Sequence, residues 1–169
     1  AQPLPSYAAM PAAHANRNGT LVLFLGGTDG APNGYAQIAQ YLASQGFMVL
    51  VPSYFNVAPA SIFANNAGCY LTFRGETVFG ELVSYPNAFD NTLLKINADN
   101  SIVGRTVHVL DFLANDTANA YNPDTSPADW NAFLKTDQDG GGPYARKHGS
   151  NTAPRWDRII LAGHSQCGG

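Results

Sequence analysis

Two short runs of consecutive apolar residues, separated by a helical pattern, constrain the fold of this chain more than any other feature. The first run covers residues 20–25 and ends at Gly26-Gly27, and the second covers residues 47–51. A strand that is apolar at every position suits a parallel sheet that is covered on both faces. Between the runs, Gly46 follows a stripe of residues at helical spacing: Tyr35, Ile38, Ala39 and Leu42. The pattern predicts a strand–helix–strand unit with a right-handed crossover.

A third buried strand is predicted at residues 158–162, and it leads directly into the motif Gly163-His164-Ser165-Gln166. A serine on a tight turn between a strand and a helix projects its hydroxyl above the sheet, an arrangement called a nucleophile elbow. The following helix points its N-terminal N–H groups at the negative charge that develops there. We therefore predict that Ser165 is a catalytic nucleophile. The alternative is that Ser165 only caps the next helix.

The turn at such a serine needs small residues two positions before and two positions after it. Gly163 fills the first of these positions, whereas Cys167 occupies the second, where glycine is typical. Because cysteine is also small, we treat Cys167 as a departure from the pattern that leaves the prediction for Ser165 in place.

Acyl transfer also requires two backbone N–H donors for the oxyanion of the tetrahedral intermediate. One comes from the residue after the nucleophile, which is Gln166, and the other from the loop after a neighbouring strand. In that loop we predict the Thr28 N–H as the donor, with Gly27 as the second choice. The alternative is that Gly26-Gly27 forms a simple turn.

Ligands bind at the carboxyl ends of parallel strands, so polar residues in the segments that leave the predicted strands are the better candidates for the site. Residues 26–34 and 53–100 leave strands, and the aromatic side chains of residues 53–100 are predicted to frame a substrate pocket. Three charged residues are candidate pocket groups, with surface or ion-pair roles as the alternative: Asp29, Arg74 and Glu76. Residues 115–155 enter a strand, so three further candidates are predicted to lie far from Ser165: Asp137, Asp139 and His148.

Two further helices are predicted. Asn100-Ser101 caps the first, whose apolar stripe leaves His108 on the solvent face and consists of Val103, Val107, Leu110 and Ala114. Ser126-Pro127 begins the second.

Residues 137–142 resemble a calcium-binding loop only superficially. Gly141 stands where such a loop needs a ligand, and His148 stands in place of the closing glutamate. We predict a surface loop here, no metal site in the chain and no cofactor.

Composition excludes several classes of function. Charged residues make up only 12% of the 169 residues and the net charge is −3, so no basic surface is available to neutralise nucleic-acid phosphates. No run approaches the roughly 18 apolar residues that a transmembrane segment needs.

A secreted or periplasmic location is expected, because the chain begins at Ala1 as a mature chain would, and Asn and Gly replace charged residues on much of its surface. Two glycosylation triplets, at Asn18 and Asn115, are compatible with this location. Cys69 and Cys167 either form one disulfide or are two buried thiols.

The order of these elements resembles the first half of an α/β-hydrolase. The similarity lies in the Gly-Gly-Thr-Asp-Gly loop after the first strand, the strand end Val51-Pro52-Ser53-Tyr54, and residues 159–166, which are similar to those of secreted esterase- and lipase-like members. The resemblance implies a three-layer α/β/α sandwich with a mostly parallel sheet. It makes the strands at 20–25, 47–51 and 159–162 the third, fourth and fifth, with the first two missing or rudimentary. Residues 1–19 are then an N-terminal arm.

The resemblance also implies that Ser165 is activated by a histidine that an acidic residue orients. In the family these partners follow the serine, and four residues follow Ser165 in this sequence. We therefore expect residues 20–169 to be the N-terminal part of one domain that continues beyond residue 169. As an isolated polypeptide, residues 1–169 are expected neither to hydrolyse esters nor to fold cooperatively, because the strand at 159–162 would be left partly exposed.

The resulting functional hypothesis is a serine hydrolase that cleaves carboxylic esters, including lipid-like ones, through an acyl-enzyme on Ser165. The rest of its own polypeptide is its required partner. The alternative is a catalytically inactive, hydrolase-like binding module. The reasons for this alternative are Cys167 in place of glycine and the absence of triad partners from the sequence.

Overall fold

A mixed four-stranded sheet with helices organises the described part of the chain, which is therefore an α/β protein. The computed structural model describes residues 5–12, 16–57, 60–63, 65, 67–80, 96–115, 127–136 and 152–165. Its strands are β1 (Tyr7–Ala9), β2 (Leu21–Leu25), β3 (Met48–Val51), β4 (Leu134–Thr136), β5 (Thr152–Pro154) and β6 (Ile159–Gly163). Its α-helices are α1 (Ala36–Ser44), α2 (Ala67–Phe79), α3 (Ile102–Asn115) and α4 (Pro127–Asn131).

The strand order in the main sheet is β1-β3-β2-β6. Strands β2 and β3 are parallel, with Leu21 opposite Met48, and β2 and β6 are parallel, with Leu21 opposite Ile159. Strand β1 runs antiparallel to β3. The predicted parallel pair and the third strand are thus confirmed, and the predicted N-terminal arm contains a short strand of the sheet.

Side chains of β2 alternate between two cores, as a strand buried on both faces requires. Leu21 and Leu23 belong to a cluster with residues of α3 and α4 and with Phe133. Val22 and Phe24 belong to a cluster with two alanines of α1, Ala39 and Ala43. Helices therefore cover both faces of the sheet at β2 and β3.

Strand β6 is apolar like a strand buried on both faces, but it is partly exposed, as expected for residues 20–169 alone. Ile160 is 48% exposed and Leu161 is 61% exposed. The physical reason is position, because β6 is the outer strand of the described sheet and pairs only with β2. The apolar sequence matches an interior strand, but the described helices do not extend over this edge.

The helices between the strands are mostly as predicted. Gly46 follows α1 with a φ of +96°, a left-handed conformation that suits glycine after a helix. Ile38, predicted on the buried stripe of α1, is instead 42% exposed, because the smaller Ala39 and Ala43 face the sheet.

Ser101 caps α3 as predicted: its Oγ accepts a hydrogen bond from the Gly104 N–H at 3.0 Å. The apolar stripe of α3 faces the core, although Ala114 is only half-buried. Pro127 begins α4 as predicted, and Ser126 lies outside the described residues.

Helix α2 and the small β4–β5 sheet were not predicted from the sequence. The buried side of α2 includes the polar residues Thr72, Glu76 and Thr77, so no apolar stripe marks it. Thr77 satisfies its hydroxyl by donating to the Phe73 carbonyl at 2.8 Å. Strands β4 and β5 have three residues each, which is too short for a periodic pattern.

Candidate functional site

Ser165 follows β6 at the carboxyl edge of the sheet. Its backbone has a φ of +60°, and its side chain is exposed. A left-handed conformation costs a non-glycine residue about 1–3 kcal/mol, and such strain concentrates at functional sites. The only other described non-glycine residue with a positive φ is Asp29, at +56°, in the loop after β2. Both strained residues therefore lie in loops that leave neighbouring parallel strands.

Gly27 brings the loop after β2 against the turn at Ser165. A Cβ atom built on Gly27 would lie 2.8 Å from the Ser165 Cβ and 3.2 Å from both Nδ1 and the carbonyl oxygen of His164. Real Cβ atoms essentially never make the shorter contact. The His164 N–H also donates to the Leu25 carbonyl at 3.1 Å. The two loops are thus in direct contact where β2 and β6 end.

The position of this contact in the sheet is chemically significant. After β2 the chain passes through α1 to β3 on one side, while β6 lies on the other side of β2. In α/β proteins ligands bind at the carboxyl ends of parallel strands. Gly27 and Ser165 both lie at this edge of the sheet.

Two residues after β3, Tyr54 and Asn56, form hydrogen bonds with the loop after β2 that contains Gly27. The Asn56 side-chain amide donates to the carbonyls of Gly27 at 2.8 Å and of Gly30 at 3.0 Å. The Asn56 carbonyl accepts from the Asp29 N–H at 3.1 Å. The Tyr54 hydroxyl donates to the Gly26 carbonyl. These contacts fix the backbone of the strained loop.

Of the predicted oxyanion donors, Gly27 and Thr28 differ in their hydrogen bonding. The Gly27 N–H donates to the Tyr35 hydroxyl at 2.9 Å. The Thr28 N–H donates to no acceptor in the described part of the chain. Of the two, the Thr28 N–H is therefore the one not already hydrogen-bonded, and its role as an oxyanion donor stays a prediction. Gln166 lies outside the described residues, and its role stays a prediction.

Tyr35 also contacts the turn formed by His164 and Ser165. Its hydroxyl oxygen lies 3.3 Å from His164 Nδ1, and the two ring centroids are 5.9 Å apart. The His164 side chain is therefore engaged with Tyr35. Within the described residues, no histidine forms a hydrogen bond to Ser165 Oγ.

The other candidate residues have different surroundings. Glu76 is buried and accepts the Ile96 N–H at 2.8 Å, a contact that fixes the chain before α3. Arg74 is half-buried on the same helix. His108 is exposed, as predicted, and lies 3.4 Å from Asp99. Four predictions concern residues outside the described part: those for Asp137, Asp139 and His148, and the pairing of Cys167 with Cys69.

Two residues of the site were missed by the sequence analysis, Tyr35 and Asn56, and Tyr54 was predicted only as one of the aromatic residues that frame a pocket. Tyr35 was interpreted only as a residue of the α1 stripe. Asn56 and Tyr54 follow a strand at its carboxyl end, and that position was the available signal.

No protein-family model, curated protein or solved structure matches the chain. None of the described helices is both long and apolar enough to span a membrane. Among the described residues, no group of three or more His, Cys, Asp or Glu side chains is arranged to hold a metal ion.

Proposed function

We propose that this chain is the nucleophile-bearing part of a serine hydrolase with the α/β-hydrolase three-layer fold, and that it cleaves carboxylic esters. The observation that carries the proposal is the left-handed backbone of Ser165 at the end of β6, in contact with Gly27 at the end of the neighbouring strand β2. A nucleophile elbow beside an oxyanion loop has this geometry. Helices on both faces of β2 and β3 support the layered architecture.

In the proposed mechanism, Ser165 Oγ attacks the ester carbonyl carbon while a histidine accepts the hydroxyl proton. The Thr28 and Gln166 N–H groups bind the oxyanion, and the same histidine then protonates the departing alkoxide. Water hydrolyses the acyl-enzyme by the reverse sequence of proton transfers and frees Ser165. In α/β-hydrolases the histidine and its acidic partner follow the nucleophile in the chain, so no described residue is assigned to either role.

The low charge and the aromatic residues after β3 favour an uncharged, apolar ester, and a secreted or periplasmic location belongs to the same proposal. No cofactor enters the mechanism, since serine, histidine and backbone N–H groups supply every step.

A fluorophosphonate probe tests the proposal, because it phosphonylates an activated serine and releases fluoride. The complete protein should be labelled at Ser165, and Ser165→Ala should abolish the labelling. Ser44→Ala is the matched control, since Ser44 is an exposed serine at the end of α1 and should not affect the result. Labelling that survives Ser165→Ala would refute the nucleophile assignment.

Hydrolysis of p-nitrophenyl esters of increasing acyl length then measures the size of the acyl pocket. A folded complete protein with neither labelling nor hydrolysis contradicts the proposal and favours the catalytically inactive binding module.

A further inference from the structure

We infer that Tyr35 is a positioning residue that holds the oxyanion loop in register with the nucleophile turn, an inference that rests on the proposed function of Ser165. Tyr35 ends the 3-10 turn Pro32–Tyr35, directly before α1. Its hydroxyl lies between the Gly27 N–H, at 2.9 Å, and His164 Nδ1, at 3.3 Å. One phenol group thus links the loop after β2 to the turn after β6.

The direction of one of the two hydrogen bonds follows from the groups involved. A backbone N–H only donates, so the Tyr35 oxygen is the acceptor toward Gly27. Toward His164 the phenol donates its proton when Nδ1 is unprotonated and accepts when Nδ1 carries the proton. In either tautomer the Tyr35 hydroxyl holds the orientation of the His164 ring next to Ser165.

This arrangement divides the roles of two neighbouring N–H groups. The Gly27 N–H is satisfied by Tyr35, whereas the Thr28 N–H has no acceptor among the described residues. The peptide group between Gly27 and Thr28 is held at its carbonyl, which accepts from the Asn56 amide at 2.8 Å. Tyr35 and Asn56 thus hold the two peptide groups that flank Gly27, and through them the direction of the Thr28 N–H.

Packing fixes the Tyr35 ring independently of its hydroxyl. The ring centroid lies 5.2 Å from that of Phe24. A Cβ atom on Gly26 would lie 2.8 Å from Tyr35 Cε2, and one on Gly30 would collide with the hydroxyl. The two glycines therefore leave space for this ring and for nothing larger. Tyr35→Phe should keep the ring in place and remove only the link to Gly27 and His164.

The first measurement is the rate constant of fluorophosphonate labelling at Ser165 in the complete protein. Tyr35→Phe should lower it about ten- to a hundredfold, because small misplacements of reacting groups have effects of that size. Tyr41→Phe is the matched control, since Tyr41 lies on α1 and is 64% exposed. If the wild type is labelled and a folded Tyr35→Phe variant is labelled at the same rate, the inference on Tyr35 is overturned. The proposed function of Ser165 is still supported in that case.

Substitutions of His164 separate positioning from general stability. His164→Asn retains a side-chain acceptor near the position of Nδ1, whereas His164→Leu does not. The labelling rate should be higher in His164→Asn than in His164→Leu at equal denaturation midpoints. Equal rates in the two variants contradict the role assigned to the Tyr35–His164 hydrogen bond.

Hydrogen exchange gives a readout that needs no activity. The Gly27 amide should be protected in the wild type and exchange faster in Tyr35→Phe, whereas Tyr41→Phe should leave its protection unchanged. A wild-type protein that is not labelled contradicts the proposed function. In that case loss of Gly27 protection in Tyr35→Phe still supports the link between the loops, and unchanged protection overturns it.

Discussion

Gly27 and Ser165 are in such close contact that a methyl group on Gly27 would lie 2.8 Å from the Ser165 Cβ. The two residues are 138 positions apart in the chain, and the parallel pairing of β2 with β6 brings them together. The loop that would stabilise the oxyanion and the turn that would carry the nucleophile therefore depend on each other for their geometry.

Gly27→Ala should disrupt this contact. The added methyl group forces either the loop or Ser165 to move, and a misplaced nucleophile reacts up to about 10²-fold more slowly. The measurement is the rate of fluorophosphonate labelling of the complete protein. Gly34→Ala is the control within the same loop, because a Cβ at Gly34 meets nothing within 4 Å. Equal rates in the two variants would show that the contact does not position Ser165.

Thr28→Pro should lower ester turnover by about 10²–10³-fold, because proline lacks the N–H that is proposed to bind the oxyanion. Thr28→Val is the matched control, since it keeps the N–H and a similar side-chain shape. Turnover should stay near the wild-type value in Thr28→Val. A folded Thr28→Pro variant with unchanged turnover would exclude Thr28 as the donor.

The central strands could be predicted from the sequence because their environment is simple. Strands β2 and β3 are covered on both faces, so nearly every position is apolar and the run itself is the signal. In β6 the same apolar pattern comes with exposure, because Leu161 lies on the outer strand of the described sheet, as expected for residues 20–169 alone. The sequence of a strand indicates which of its faces are apolar. Whether those faces are buried depends on the helices and strands that pack against them.

The site could be predicted only in part, for a related reason. Ser165 and Thr28 stand next to strand ends, which the sequence marks clearly. Tyr35 and Asn56 act through contacts with residues that are distant in the chain, such as Tyr35 with His164. Such contacts depend on strand order, and the order β1-β3-β2-β6 is not encoded in any local pattern.

Asn56→Asp should loosen the loop that follows β2, which contains Gly27 and Gly30. The Asn56 amide donates to two carbonyl oxygens, and a carboxylate of the same shape can only repel them. We expect a labelling rate at least about tenfold lower, since hydrogen bonds of this kind contribute about 1 kcal/mol each. Asn33→Asp introduces the same charge at an exposed position before α1 and should react like the wild type. A similar loss in both variants would point to an effect of charge alone.

Asp129→Ala should destabilise the fold without touching the site. Arg17 and Asp129 form an ion pair whose side chains are only 7% and 14% exposed, and it joins the segment before β2 to α4. Removal of one partner of a buried pair lowers the free energy of unfolding by about 3–5 kcal/mol, because the remaining charge stays in a poorly solvated position. Urea denaturation measures the loss.

The exposed pair of Arg155 and Asp157 is the control for that measurement. Their hydrogen bond, 2.9 Å long, holds the pKa of the Asp157 carboxyl below its usual value. Such a group stabilises the fold above its unfolded pKa, and the contribution disappears as the pH falls through the folded pKa. Because solvent screens this pair, Asp157→Ala should barely change the midpoint at neutral pH. A loss as large as that in Asp129→Ala would show that burial is not the cause.

We expect the open edge of β6 to pair between copies of the chain, and Leu161→Lys should weaken that self-association. Strand β6 has no second neighbour among the described strands, and Leu161 adds an exposed apolar side chain to that open edge. An edge of this kind pairs readily with another chain, and a lysine on it opposes such pairing by charge and hydration.

Since burying one such side chain contributes about 1.5–3 kcal/mol, the association constant should fall about tenfold or more. Sedimentation velocity over a range of concentrations measures it. Leu71→Lys is the matched control, because Leu71 is 69% exposed but lies on the helix α2, which presents no open strand edge. An equal effect of the two substitutions would assign the association to general hydrophobicity and not to the edge of β6.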